Sequence, residues 1–155
     1  MRKSAGLLVY RKSGQFIEFF LIHPGGPFWK GKENGAWSIP KGEFTESEDP
    51  LSAAQRELKE ETGHSVNGEY IELKTVQQKG GKLVYAWAIE GDFDANQIVS
   101  NTFRQEFPYK SGKWQTYPEV DKAGWFSYEE AIKKINPAQV AFIEELGALL
   151  KNGKV

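Results

Sequence analysis

The stretch GEFTESEDPLSAAQRELKEETGH, Gly42 to His64, reads as a polar loop feeding an amphipathic helix. Asp49 is a helix-capping residue type, Pro50 suits the first helical position and Gly63 suits the stop, so a helix is expected over Asp49 to Thr62. Within it Glu57, Glu60 and Glu61 stand at i, i+3 and i+4, which at about 3.6 residues per turn places them on one face. Ala53, one turn earlier, shares that face and is expected to leave space above the acids. Leu51, Ala54 and Leu58 form an apolar stripe about a quarter turn round, by which the helix should dock.

Carboxylates at this spacing repel by about 0.2–0.5 kcal/mol per pair on an exposed helix. Two of them also fall in the last turn, where the helix dipole disfavours negative charge. A divalent cation turns that repulsion into attraction, and hard carboxylate oxygens suit Mg²⁺, with Mn²⁺ as a substitute. For the three acids alone, a solvated face balanced by Arg56 and Lys59 is the better reading.

The residues before the helix reverse that preference. Gly42, five residues, Glu48, seven residues, then Arg56-Glu57-Leu58-Lys59-Glu60-Glu61-Thr62-Gly63 resembles the signature of the Nudix hydrolase family. Average residue usage would produce these positions by chance in roughly one chain of this length in ten million. One departure is His64, where the family prefers an aliphatic residue; lying past the helix, it bears on local packing rather than on metal binding.

The resemblance implies an α/β (α+β) fold, a Nudix-type α/β/α sandwich with a mixed β-sheet between helices, as a single domain over residues 1–155. It further implies a Mg²⁺-dependent hydrolase cutting a phosphoanhydride bond in a nucleoside-diphosphate-linked substrate. In such a site Glu57, Glu60 and Glu61 resemble the metal-holding carboxylates, joined by the Gly42 carbonyl and a loop acid, Glu119, with Glu106 competing for that role. Glu57 is the first choice of general base, with Glu60 also a catalytic candidate. Arg56 and Glu48 resemble the pair that fixes loop against helix.

Lys41 replaces the glycine of the commoner Pro-Gly-Gly version, a variant that resembles members acting on dinucleoside polyphosphates or inositol pyrophosphates; it is expected to contact phosphate. Trp29 and Trp114, in polar loops, are candidates for stacking on a base, whereas Trp37 and Trp87 are expected in the core. His23 and His64 are expected to be structural. A dinucleoside polyphosphate is the first substrate expectation and a nucleoside triphosphate the second. The tyrosine that diadenosine polyphosphate hydrolases often place about seventeen residues past the box is missing; Gly80 and Gly81 lie near that spot. A catalytically silent nucleotide sensor is the alternative, though such modules usually lack a box glutamate and this chain has them all.

Outside the motif, Ser4 to Tyr10 and Phe16 to Ile22 read as a hairpin, and His23 to Gly35 as a breaker-rich loop before a short strand, Ala36 to Ile39. Strands are expected over Glu69 to Val76 and Lys82 to Glu90, the second apolar on both faces and therefore central. Ser100 to Val120 shows no periodicity and is expected to be a long functional loop. Helices should follow from Ser127 to Ile135 and from Asn136-Pro137 to Leu150, with Lys151 to Val155 as a frayed tail.

The 155 residues carry 20 Lys and Arg against 21 Asp and Glu. That balance provides no overall field for duplex nucleic acid or an anionic membrane, so an anionic ligand needs a local site. With no cysteine, disulfides and thiolate metal sites are excluded. Leu7-Leu8-Val9 is too short an apolar run for a signal peptide or membrane span. A soluble cytoplasmic protein, monomer or homodimer, is the default expectation, and the small nucleotide substrate is what the family resemblance implies.

Overall fold

A computed structural model describes residues 2–153. Strand β1 (Lys3–Ser13) pairs antiparallel with β2 (Phe16–Pro24), Tyr10 lying opposite Phe19. Alternation along β1 serves two cores at once: Leu7 and Val9 enter one apolar cluster, Leu8 and Tyr10 the other. That requirement explains why the strand is apolar at every central position. Beside it, β6 (Leu83–Glu90) runs parallel to β1, with Ala5 opposite Tyr85.

Three short strands and one longer one complete the sheet. They are β3 (Lys41–Glu43) on β1, β4 (Ile71–Glu72) and β5 (Val76–Gln77) on β6, and β9 (Val120–Phe126) on β2. All four of these pairings are antiparallel, so the seven-stranded sheet is mixed. Helix α1 (Pro50–Thr62) covers one face, burying Ala53, Ala54 and Leu58 with Leu7, Val9 and Phe20. On the other face α2 (Tyr128–Lys134) and α3 (Val140–Lys151) bury Ala131, Phe142, Ile143 and Leu146 against Leu8, Phe19 and Leu21. The result is the expected α/β/α sandwich with a mixed sheet. Among the described residues no helix is long and apolar enough to cross a membrane.

Several local expectations change. Ala36 to Ile39 makes only isolated bridges, Ser38 to Ile22 and Trp37 to Ile135, because Gly35 and Pro40 leave no length for a ladder. The strand expected over Glu69 to Val76 breaks into β4 and β5, and the segment between them is held by a Glu145 carboxylate accepting from the Lys74 N–H. Ser100 to Val120 is not a loop: β7 (Thr102–Glu106) and β8 (Trp114–Pro118) form a separate two-stranded hairpin. The last helix begins as a 3₁₀ turn at Pro137–Gln139 and continues as α3 through Lys151, so Lys151 belongs to the helix rather than to a tail. Residues 1, 154 and 155, included in the N-terminal and tail expectations, lie outside the described residues.

Candidate active site

Helix α1 has the expected ends: the Asp49 side chain accepts from the Ser52 N–H, and Gly63 closes the helix in the left-handed conformation with φ 80°. Its acidic face is turned differently from the expectation. Ala53 is fully buried against the sheet and leaves no space above the acids. Glu57 and Glu61 follow it inward, at 8% and 7% exposure, while Glu60 stays half-buried at the edge. Space comes from the strand instead. Gly42 on β3 faces the Glu57 carboxylate so closely that a Cβ there would collide with all three terminal atoms of that side chain. Next to it, the Lys41 N–H donates to Glu61 Oε1 at 3.3 Å.

Arg56 organises the loop side. Its Nε and one terminal nitrogen grip both Glu48 oxygens at 2.7 and 2.9 Å, and its other terminal nitrogen donates to Glu57 Oε1 at 3.1 Å and Glu60 Oε2 at 3.0 Å. This fork ties the loop before α1 to the helix, the positioning expected of Arg56 and Glu48. It also draws Glu60 toward the guanidinium.

Glu119 reaches the group by a route invisible in the sequence. The last carbonyls of a helix lack intrahelical partners. Here Thr62 O accepts from Val99 N–H at 2.9 Å and Glu60 O from Asn101 N–H at 2.8 Å. Asn101 O in turn accepts from Glu119 N–H at 2.8 Å. The chain on both sides of the β7–β8 hairpin is therefore stitched to the end of α1, and the Glu119 charge acts on Glu57 and Glu61. Glu106, its competitor, accepts from the Lys110 and Gly112 N–H groups at the hairpin turn and is spent there.

Burial is the main cause of unusual acidity here. Burial first, and the Glu57 charge second, push the Glu61 carboxyl from its ordinary 4.5 up to about 9. Burial also raises Glu57, against the pull of Arg56, and raises Glu119, with Glu60 adding to it. A folded-state pKa raised this way supplies stability fully present below about 4.5 and lost as pH rises toward about 9. The melting temperature of metal-free protein is accordingly expected to fall across that window, and Glu61→Gln to flatten the fall. Thermal melts in EDTA at several pH values check this; parallel curves for the two proteins would contradict it.

The other candidates separate. Lys41 is half-buried beside Lys82, and burial followed by the Lys82 charge lowers its pKa. Strand alternation turns its side chain from Gly42 toward Lys82 and Glu43, themselves 3.7 Å apart, yet its charge and those of Glu61 and Glu57 act on each other. Trp29 packs on the core cluster beneath α2 and α3, across the sheet from the acids. Trp114 lies at the far end of β8, about 17 Å along the strand from Glu119. Trp37 is core and Trp87 is half-buried against the α1 core. His23 is buried between Asp121 and the Lys32 carbonyl. His64 stacks flat on Phe93 at 4.3 Å, doing the packing of the aliphatic residue it replaces. Sequence reasoning missed Lys82, whose approach to Lys41 depends on the pairing of β3 and β6 with β1.

Among the described residues no three acidic, histidine or cysteine side chains already converge at metal-ligand spacing. The site nevertheless suits a hard divalent cation. Glu57 and Glu61 are buried carboxylates raised in pKa by burial and by neighbouring acids, and the missing side chain at Gly42 gives the Glu57 carboxylate its place beside the β3 backbone. Glu60, at the edge of this group, is held by Arg56 at 3.0 Å.

The NUDIX domain family model matches residues 1–146. The chain belongs to the NUDIX family. Over 155 residues it is 28% identical to an asymmetrical bis(5′-nucleosyl)-tetraphosphatase of Caenorhabditis elegans, covering 96% of this chain and 91% of that one. It is 29% identical over 136 residues to a putative mRNA-decapping protein of Acanthamoeba polyphaga mimivirus, covering 81% of this chain. It is also 41% identical over 68 residues to an RNA pyrophosphohydrolase of Bartonella bacilliformis, covering 43% of this chain. The matches span only 32% of the viral protein and 39% of the bacterial one. Among solved structures, a C. elegans Ap4A hydrolase binary complex superposes with a TM-score of 0.66 at 25% identity, covering 96% of this chain and 98% of that one.

Proposed function

We propose that this NUDIX protein is a Mg²⁺-dependent pyrophosphohydrolase that cuts a phosphoanhydride bond in a nucleoside-diphosphate-linked substrate. The observation that carries this reading is the pair of buried carboxylates, Glu57 and Glu61, held under Gly42 with Glu119 beside them. When bound, a divalent cation neutralises diphosphate charge and makes a water more acidic. Glu57, Glu60, Glu61, Glu119 and the Gly42 carbonyl are the groups that would hold it, Mn²⁺ serving in place of Mg²⁺.

The chain's own residues divide the remaining work. Glu57 is the residue we assign to take a proton from the attacking water, its desolvation and raised pKa supporting that role. Arg56 holds the helix acids and the Glu48 loop in fixed relation, so its role is positioning. Lys41, whose charge is felt by Glu61 and Glu57, and its neighbour Lys82 offer two cations for phosphate oxygens beyond the cleaved bond. A dinucleoside polyphosphate fits this provision best, and a nucleoside triphosphate next. The near full-length likeness to the C. elegans tetraphosphatase supports the first.

A panel of dinucleoside tetraphosphate, nucleoside triphosphates, ADP-ribose and 5′-triphosphorylated RNA, with product analysis, tests the reading. Hydrolysis with Mg²⁺ or Mn²⁺ that stops in EDTA is expected. Folded protein that cleaves none of them would favour the nucleotide-binding sensor.

A further inference from the structure

The β7–β8 hairpin stands apart from the main sheet and carries an unusual surface. Its register pairs Phe103 with Tyr117 and Gln105 with Gln115 on one face. That face leans on the loop after β2, where Phe103 and Gln105 close over Gly26. The opposite face and the turn are exposed. They present Trp114 at 51% exposure, Tyr109 at 84% and Phe107 at 48%. Cations are interleaved with these rings: Arg104 lies 5.3 Å from the Trp114 ring centre and Lys110 5.5 Å from that of Tyr109.

Charge and position together select an occupant. Residues 102–118 hold Arg104, Lys110 and Lys113 against a single acid, Glu106, in a chain whose net charge is −1. Glu106 is already engaged by two backbone N–H groups of the turn. The arm is thus locally basic, and large aromatic rings left in water mark an interaction surface rather than a core. A repeating anion with flat unpaired rings matches both properties, since bases stack on aromatics irrespective of sequence while cations follow the backbone. The root of the arm is bonded to Glu60 through Asn101 and ends in Glu119. A strand whose 5′ end lies among the acids would run outward along it.

We propose that the β7–β8 hairpin is an arm that binds single-stranded RNA. Binding by the arm can be measured independently of the pyrophosphohydrolase reading. A short, 3′-fluorescein-labelled single-stranded oligoribonucleotide is titrated with the full chain in EDTA, using fluorescence anisotropy. Tyr109→Ala/Trp114→Ala should weaken binding about tenfold or more. Arg104→Ala/Lys110→Ala should weaken it and also reduce its dependence on salt. Melting temperatures should hold in both, because the residues are exposed.

Equal binding by parent and Tyr109→Ala/Trp114→Ala overturns the proposal, as does equal competition by polyglutamate and by unlabelled RNA. The latter would show a basic patch that takes acidic peptide. If mononucleotides are hydrolysed but the oligonucleotide is not bound, only the arm proposal fails. If the oligonucleotide binds but no phosphoanhydride is cut, only the enzymatic reading fails.

Discussion

Glu61→Gln is expected to lower kcat by at least about a hundredfold while metal-free protein melts at a higher temperature near neutral pH. Both effects follow from one fact. The carboxyl is 7% exposed, with burial and then Glu57 opposing its charge, so the metal-free fold must retain a proton there or carry an ill-solvated anion. Glutamine keeps the volume and can still accept from the Lys41 N–H, now 3.3 Å from Oε1. It removes the repulsion but also a hard anionic ligand. Glu57→Gln should behave alike in catalysis, with a smaller gain in stability because Arg56 already compensates part of its charge. Steady-state kinetics and melts in EDTA measure the two effects. A fall in both activity and stability would mean that the acids are structural.

Gly42→Ala is expected to cost activity on a similar scale, although it alters no ionisable group. The new methyl would occupy the position of the Glu57 carboxylate, forcing that side chain out of the site. Because the obstacle is the end of a flexible side chain rather than backbone, the fold should survive, at an overpacking cost of about 1–3 kcal/mol. For a domain of this size that is a drop in Tm on the order of 5 °C. Adding Glu57→Ala should restore most of the lost stability and none of the activity, since the two residues compete for one space. Unchanged kinetics in Gly42→Ala would show that Glu57 has no fixed position to lose.

Much of this was legible in residues 42–64. The cap at Asp49, the stop at Gly63 and the Glu48–Arg56 pairing follow from local chemistry and spacing, and the structure shows each. The orientation of the helix was not legible. Helical spacing put Glu57, Glu60 and Glu61 on one face, but burial depends on the approach of β3, which periodicity cannot show in a three-residue strand. The β7–β8 hairpin was missed because its alternation is masked: Phe103 and Tyr117 face inward, while Trp114, Tyr109 and Phe107 are equally apolar and face water. Glu119 was named from its place in the chain. Its approach to the acids depends on hydrogen bonds between backbone groups, which leave no trace in side-chain identity.

The central claim is that buried acids of α1 hold a divalent cation, and a Mn²⁺ titration of metal-free protein near neutral pH tests it most directly. Free Mn²⁺ is followed by electron paramagnetic resonance, and released protons with an indicator dye. Stoichiometric uptake is expected, with proton release as the Glu61 carboxyl, held near 9 by burial, gives up its proton to become a ligand. Glu57→Gln and Glu61→Gln should each weaken uptake, and Glu61→Gln should also abolish most of the proton release. Undiminished free Mn²⁺ in the parent protein, or uptake and proton release unchanged in both variants, would contradict the claim.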